Sequence, residues 1–325
     1  MSAQTTVSPL AHRKKSNFRR EFIKNGPLTL FLLPGAVFMV LFCYLPIPGM
    51  LIAFKNFTMG GQSFVQNFFL SSWVGFNNFK FMFATNDAII YIRNTVGYNL
   101  LWIVLGLIIN VAVAIGVTEI WFRRLSKFFQ TTMLLPYFLS WVVVSYFLFA
   151  LINQQYGVLN NTMTNLGLIS QPIQWYNEPK YWPYIMTIAN IWKNTGYGSI
   201  IYISAIAGLD QELFEAAAID GATKWQQIKN ITLPLLRPMM VILTILALGN
   251  IFRGNFDMFF NLPRGSGLVA STTMIIDTYV YKGLQQNFQL GMTAAAGVLQ
   301  SVVGCVMILA ANFVVRRVDP EEALF

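Results

Sequence analysis

Six long apolar runs alternate with polar segments along this chain. Each run holds about twenty or more mostly hydrophobic residues, the length that an α-helix needs to cross a bilayer. The pattern therefore predicts an all-α integral membrane protein with six transmembrane helices. In the first run, Pro34, Pro46 and Pro48 are expected to kink or bound the helix. The predicted spans occupy about residues 28–54, 88–117, 128–152, 183–206, 239–260 and 290–315.

The composition supports a membrane protein independently of the pattern. Hydrophobic residues make up 55% of the chain, charged residues make up 11%, and the mean hydropathy is +0.54. A soluble domain carries about 25% charged residues. Both cysteines, Cys43 and Cys305, lie inside apolar runs, so a disulfide framework is not expected.

The distribution of charge predicts the orientation of the spans. The net charge is +9, and most of the 22 Lys and Arg residues lie in segments that fall on one side when six spans are threaded. Cytoplasmic loops carry such an excess of Lys and Arg, so both termini are expected in the cytoplasm. The basic balance therefore indicates topology in a bilayer and not binding of nucleic acid.

These boundaries divide the chain into four parts. A basic cytoplasmic tail, 1–27, precedes residues 28–87, which hold the first span and an external, aromatic-rich segment. Residues 88–315 form a five-span core that includes a polar cytoplasmic segment, 209–238, and residues 316–325 form a short charged tail.

The polar segment 209–238 reads as two short helices separated by a glycine. Asp210 is an expected N-cap of the first helix, and Gly221 is its expected terminator. Thr223 and Gln226 have the spacing of a capping box for the second helix, which is expected to end before Pro234.

The first of these helices has an apolar edge of mostly small side chains. Leu213, Phe214, Ala217 and Ala218 recur at i, i+3 and i+4 spacing. Small side chains let another surface approach the backbone closely. A helix of about ten residues spans only about 15 Å, which suits a knob seated in a partner's groove.

The same segment resembles a known family motif. Glu215-Ala216-Ala217, then Gly221, and finally Ile231 with Leu233-Pro234 match the EAA motif of the membrane subunits of binding-protein-dependent ABC importers. The resemblance implies the type I ABC importer permease fold and a cytoplasmic coupling helix that docks on an ATPase subunit. An ordinary helical hairpin joining two spans is the alternative. The residues that the resemblance assigns to coupling are Leu213, Phe214, Glu215, Ala216, Ala217, Asp220 and Gly221.

Other stretches resemble the maltose-type sugar permeases within that family. They include Ile191-Trp192, Gly196-Tyr197 and Lys55-Asn56-Phe57, and the last is similar to importers of polysaccharide fragments such as alginate. The resemblance implies a subunit of the bacterial cytoplasmic membrane that passes an oligosaccharide or polysaccharide, with an anionic, alginate-like cargo as one candidate, by alternating access. The implied partners are a second permease subunit, two ATPase subunits that bind ATP and Mg, and an external solute-binding protein.

The chain shows no sequence signature of its own catalysis. It has one histidine, His12, and no glycine-rich phosphate-binding loop, so ATP hydrolysis is expected on separate subunits, with no cofactor or metal in this chain. An ion-coupled secondary sugar carrier is the alternative function. Such a carrier needs buried carboxylates, and Asp257 is the nearest candidate. A membrane enzyme is a further alternative. Such an enzyme would need a nucleophile with a base, and the sequence shows no such pair.

Charged and aromatic residues within the spans are candidates for the substrate route. Lys193 lies about 15 Å from the outer end of its predicted span, too deep to reach water easily. Three cations with few carboxylates would suit an anionic sugar, and aromatic rings stack on sugar faces. Each cation also has a structural explanation: a hydrogen bond for Lys193, snorkelling for Arg93, and an ion pair with Asp257 for Arg253. The candidate route residues are Lys193, Arg93, Arg253, Trp192, Tyr197 and Asn250.

Overall fold

The computed structural model describes residues 26–58, 63–84, 86–287 and 290–318. The basic tail up to residue 25 and the last residues of the C-terminal tail lie outside this description. The helices are α1 (Gly26–Met39), α2 (Phe64–Leu70), α3 (Asn77–Ala84), α4 (Asn86–Thr118), α5 (Arg123–Phe138), α6 (Trp141–Ile152), α7 (Val158–Asn165), α8 (Trp182–Ala207), α9 (Gln211–Ile219), α10 (Lys224–Gln227), α11 (Leu233–Leu248), α12 (Phe256–Asn261), α13 (Ala270–Thr273), α14 (Ile276–Asn287) and α15 (Leu290–Val318).

The predicted all-α class is confirmed. Within the described ranges, β structure is limited to one isolated bridge between Lys55 and Trp73. In the part of the chain that the structure describes, four helical stretches are long and apolar enough to cross a membrane, and a fifth is added if one bent helix pair is counted as a span. The count of six is not reached, because α8 is long enough at 26 residues but carries Asn190, Lys193 and Asn194 near its centre.

The third predicted span, 128–152, is not a continuous helix. Helices α5 and α6 meet at an angle of 97°. Helix α5 contains Pro136, which has no N–H to donate, and the helix ends two residues later. Ser140 then caps α6 by accepting a hydrogen bond from the Val143 N–H. A proline followed by an N-cap serine thus breaks a run that is apolar throughout.

The fifth span differs from its prediction at both ends. The helix does not stop before Pro234 but runs through it, so the apolar stretch begins at Lys224 instead of residue 239. A wide π turn, Ile228–Thr232, accommodates the proline, and the Leu233 N–H donates five residues back to the Ile228 carbonyl. The helix then ends at Leu248 and not near residue 260.

The chain forms two compact units, residues 1–51 and 52–325. In the described part of the first, α1 contains Pro34 and exposes apolar side chains such as Phe31. In the second unit, the aromatic-rich segment before α4 forms the short helices α2 and α3 with exposed aromatic rings. Lys55 fixes α2 and the residues after it in place. Its Nζ donates a hydrogen bond to the Phe68 carbonyl at 2.6 Å and lies over the Trp73 ring.

The core of the second unit is built around α8. This helix packs against α4 and α5, and α4 also contacts α11. One buried cluster surrounds Tyr98, Trp182 and Met258, and another joins Val111 of α4 to Tyr202 of α8. The central position of α8 places its polar residues between neighbouring helices and not against lipid.

Candidate coupling segment and membrane cleft

The segment between α8 and α11 has the caps and the glycine break that its sequence predicts, although α10 continues through Pro234 into α11. Helix α9 has nine residues, and the Asp210 carboxylate accepts a hydrogen bond from the Glu212 N–H at 3.0 Å. Gly221 follows the helix with φ at +80°, a conformation that side-chain-bearing residues avoid. Thr223 and Gln226 form the predicted capping box at the start of α10. Two short capped helices with a glycine hinge result.

The surface of α9 is largely exposed. The side chains of Glu215, Ala216 and Asp220 are exposed, and Leu213 keeps 46% of its surface open. Ile219 and Trp225 expose 86% and 70%, respectively. Apolar side chains left open on so short a helix indicate a surface that a protein partner covers.

The opposite face of α9 rests on the body of the protein. Phe214 and Ala217 are half-buried, and the Gln227 side chain reaches from α10 to the Phe214 carbonyl at 3.5 Å. An ion pair of 3.3 Å joins Lys224 to Glu119, in the link after α4. The segment is therefore attached to α4 as well as to the two helices that flank it.

A cleft of about 390 Å³ lies between α4, α8 and α11. Three of the six predicted route residues line it: Tyr197, Asn250 and Arg253. Its walls also carry side chains that the sequence did not single out, and these are Asn99, Trp102, Asn110, Tyr202 and Thr244. The signal that could have found the two asparagines is a polar side chain within an apolar run.

The cleft offers both flat rings and free hydrogen-bonding capacity. The Tyr197 ring stacks on Tyr137 with the centroids 4.4 Å apart and the planes 9° from parallel. The Asn110 side-chain oxygen is buried and has no hydrogen-bond partner in the described residues. Gly198 faces this asparagine, since a Cβ there would lie 2.3 Å from the Asn110 Nδ2. Because this oxygen is buried, a ligand reaches it only after the Asn110 side chain turns. The other polar side chains of the cleft, beside its aromatic rings, suit a hydroxyl-bearing ligand.

Side chains from three helices hold the irregular turn 249–255 that follows α11. The Asn99 amide donates to the carbonyls of Ile251 and Arg253, each at 2.9 Å. Gln300 donates to the Phe252 carbonyl at 2.8 Å. The Asp277 carboxylate accepts from the Gly254 N–H at 2.8 Å. Non-helical backbone at membrane depth needs such internal partners, and here they present Arg253 to the cleft.

Arg253 does not make the ion pair with Asp257 that its sequence spacing suggested. Within the described residues no ion pair joins the two, and the Arg253 guanidinium donates instead to the Ser301 hydroxyl at 3.2 Å. The reason is that Arg253 lies in the turn and Asp257 in α12, so the helical i, i+4 geometry is absent. Asn250 donates to the Leu246 carbonyl at 3.2 Å.

The other three route candidates lie outside the cleft. Lys193 is buried, and its Nζ donates to the Tyr137 carbonyl at 2.6 Å. Arg93 is exposed and donates to the Ser271 carbonyl at 2.9 Å. Trp192 is 47% exposed and does not line the cleft. Lys193 therefore pairs with a carbonyl in the last turn of α5, next to the 97° bend.

We expect the Lys193→Met variant to lose stability without changing which cargo it prefers. Removing the ammonium leaves the Tyr137 carbonyl without its donor, which costs about 1–2 kcal/mol. Thermal unfolding in detergent measures the loss, and uptake of acidic and neutral oligosaccharides measures the preference. Lys180→Met is the control, because Lys180 makes only exposed contacts, an ion pair with Glu178 and a contact over the Tyr181 ring, and its loss should change stability by less than about 0.5 kcal/mol. An unchanged melting temperature with a selective loss of acidic cargo would place Lys193 on the route instead.

The match to a family decides what kind of protein this is. The family model described as "Binding-protein-dependent transport system inner membrane component" matches residues 102–320, which is more than half of the chain. This chain belongs to that family. It is therefore a membrane permease subunit of a bacterial ABC importer, and the resemblance drawn from the Glu215 to Gly221 segment is confirmed.

Curated relatives and solved structures agree with this assignment. The permease is 32% identical to protein LplB of Bacillus subtilis over 92% of this chain and 91% of LplB. It is 29% identical to the polygalacturonan/rhamnogalacturonan transport system permease YteP of Bacillus subtilis, over 95% of this chain and 93% of YteP.

The solved structures extend the similarity to the whole fold. One is a bacterial ABC transporter involved in import of the acidic polysaccharide alginate, which matches with a TM-score of 0.82 and 30% identity over 93% of this chain and 99% of that one. A second is an alginate ABC transporter in complex with an alginate pentasaccharide-bound periplasmic protein, with a TM-score of 0.81, 29% identity, and coverage of 93% and 98%. The ABC importer permease fold is thereby established.

Proposed function

We propose that this permease moves an acidic oligosaccharide across the cytoplasmic membrane, with both termini and the segment 209–238 on the cytoplasmic side. The observation that carries the cargo assignment is the cleft: it is lined by Arg253, by asparagine amides and by aromatic rings. Uronate oligomers present carboxylates, hydroxyls and flat apolar ring faces, which these groups complement. The relatives named for polygalacturonan/rhamnogalacturonan transport and for alginate import support the same cargo class.

The energy for transport comes from outside this chain. The exposed helix α9 docks on an ATPase subunit that binds ATP and Mg, and a second permease subunit completes the route. A solute-binding protein delivers the cargo to the outer face, as the complex of the second solved neighbour suggests. Closure of the ATPase pair moves α9, and the motion passes to α8, α11 and, through the Lys224–Glu119 pair, to α4.

The test of this assignment is uptake by the reconstituted complex. Vesicles that hold the permease, its partner permease and the ATPase subunits are supplied with the binding protein and a labelled uronate oligomer. Uptake is expected to need ATP and to stop when the ATPase subunits are omitted. Uptake driven by an ion gradient without ATP would show an ion-coupled carrier and overturn the proposal.

We expect the Arg253→Gln variant to transport acidic cargo with a KM raised about 10- to 100-fold. This range follows because the variant loses one hydrogen bond to a charged group, which contributes about 1.5–3 kcal/mol. Neutral oligosaccharides of equal length should lose little. Arg93→Gln is the matched control, because Arg93 lies outside the cleft and should leave the KM for both cargo types unchanged. Equal losses for acidic and neutral cargo in Arg253→Gln would contradict a charge-reading role.

A further inference from the structure

A second cleft, separate from the one that holds Arg253, lies at the C-terminal ends of α4 and α8. Its volume is about 690 Å³, within the roughly 300–1,000 Å³ of small-molecule sites. One wall is apolar, formed by Ile115, Ile120 and Ile203. The other wall is the link after α4, with the first turns of α5. Neither the transport route nor the exposed face of α9 uses this cleft.

The charge of this cleft is strongly positive. Arg123, Lys127 and Lys224 line it, with Glu119 as the carboxylate among its lining residues. The Glu119 carboxylate forms an ion pair of 3.3 Å with the Lys224 ammonium. In the described residues no ion pair engages Arg123 or Lys127, so the cleft holds two cations whose charge an anion can neutralise.

An exposed aromatic face lies beside these cations, at the end of the link after α4 and in the first turns of α5. Trp121 and Phe122 of the link are 93% and 70% exposed, and Phe128 of α5 is 63% exposed. Aromatic and apolar side chains beside Lys and Arg are typical of segments that lie at a membrane surface. Leu135, seven residues after Phe128 and so on the same face of the helix, is 59% exposed, and the apolar face therefore continues along α5.

We propose that this cleft binds the headgroup of an anionic phospholipid from the inner leaflet, with its phosphate between Arg123 and Lys127. The inference rests on the proposed orientation, which places the cleft on the cytoplasmic side. The acyl chains lie along the exposed apolar face of α5. A bilayer covers that face along the whole helix, whereas a docked soluble subunit would leave its deeper part open. The adjacent unpaired cations favour an anionic lipid over the partner permease as the occupant, and a contact with that permease would be shown by its loss from the Arg123→Gln/Lys127→Gln complex in pure phosphatidylcholine.

The bound headgroup has a position from which it can affect coupling. The cleft is bordered by Gln211 and Phe214 of α9 and by Lys224 of α10, the same elements that transmit motion from the ATPase. A phosphate bound there also attracts the Lys224 ammonium, and this attraction competes with the Lys224–Glu119 ion pair. Anionic lipid is thus expected to change the rate of cargo-stimulated ATP hydrolysis.

The experiment uses the complete complex in nanodiscs of phosphatidylcholine with increasing phosphatidylglycerol. Native mass spectrometry counts bound phosphatidylglycerol without any cargo, so failure of the cargo assignment leaves the readout intact. The Arg123→Gln/Lys127→Gln double variant is expected to bind phosphatidylglycerol roughly 30-fold more weakly, from the attraction of two cations to anionic lipid. The matched control is Arg316→Gln/Arg317→Gln, which removes two cations outside the cleft and should bind as the unmodified complex does.

Three results would overturn the proposal. Equal phosphatidylglycerol binding by both double variants would show a non-specific surface charge. Loss of the ATPase subunits from the Arg123→Gln/Lys127→Gln complex in pure phosphatidylcholine would show a subunit contact. Displacement of the lipid by millimolar glycerol phosphate would show a site for a free phosphate compound. Weaker lipid binding by that variant alone, with the subunits retained and no competition by glycerol phosphate, supports it.

Discussion

The Gly221→Val variant is expected to enter the membrane and assemble with its partners, yet to lose at least about tenfold in cargo uptake per ATP hydrolysed. Gly221 has φ at +80°, and a β-branched residue in that region is strained by about 1–2 kcal/mol or more. Apart from its chain neighbours, no atom of the described residues lies within 4 Å of a Cβ built there, so the strain falls on the hinge between α9 and α10 and not on packing. Uptake and ATP hydrolysis measured in the same vesicles give the ratio.

Two further variants separate the hinge from simple strain. Gly167 has φ at +68° and equally open surroundings, but it lies in the loop after α7. Gly167→Val should therefore suffer similar backbone strain while keeping uptake coupled to hydrolysis. Gly221→Asn should retain much of the coupling, because asparagine tolerates positive φ. Normal coupled uptake in Gly221→Val would remove the hinge from the mechanism.

The Gly196→Ala variant is expected to be the most destabilised single-methyl change in the core. A Cβ at this position would lie 1.8 Å from the Met133 carbonyl oxygen and 2.9 Å from the Leu134 nitrogen, both backbone atoms of α5. Backbone cannot rotate away as a side chain can, so α5 and α8 must separate. We expect a loss of about 3 kcal/mol or more, at or above the upper end of overpacking costs. Thermal unfolding in detergent and the yield of monodisperse protein measure it.

Gly97→Ala is the control for that change. Gly97 also lies within a helix, α4, and no atom lies within 4 Å of its would-be Cβ. Alanine there should be neutral or stabilise by about 0.5–1 kcal/mol through helix propensity. Equal melting temperatures for the two alanine variants would mean that α5 and α8 are not held in backbone contact.

Local signals predicted the parts of the fold that local chemistry determines. Helix α8 was expected at 183–206 and occupies Trp182–Ala207, because Pro183 suits a first helical turn and Gly208 an end. The caps at Asp210 and Thr223 were predicted for the same reason, since a cap depends on residues within three positions. These elements needed no knowledge of distant contacts.

The predicted helix boundaries are wrong at two prolines, because a proline in an apolar run can either end a helix or be accommodated within it. The sequence predicts that the helix ends before Pro234, but a π turn upstream lets the helix continue through it. In the third run, the sequence predicts a continuous span across Pro136, yet there the helix ends, because Ser140 supplies a cap for a helix in a new direction. Proline marks a place where the helical ladder is weak, and the surrounding packing decides the result.

The cleft could be predicted only in part. Polar side chains within a span, and rings that can stack on a sugar, predict Tyr197, Asn250 and Arg253 as route residues, and all three line the cleft. The charge of Lys193 within a span predicts the same role, but its Nζ donates to the Tyr137 carbonyl at the end of α5 instead. The turn 249–255 is held by hydrogen bonds between residues far apart in sequence, such as Asn99 and Ile251. The periodicity of the sequence does not predict such pairs.

In the turn after α11, one set of residues fixes the path of the backbone, and another set contacts the cleft. Its path is fixed through its carbonyl and amide groups by Asn99, Gln300 and Asp277, so the side chains it carries into the cleft take little part in holding it. Exchange of the side chain at position 250 or 253 therefore leaves the scaffold in place. A lineage could move from acidic to neutral sugars by a few substitutions here, with no rebuilding of the bundle.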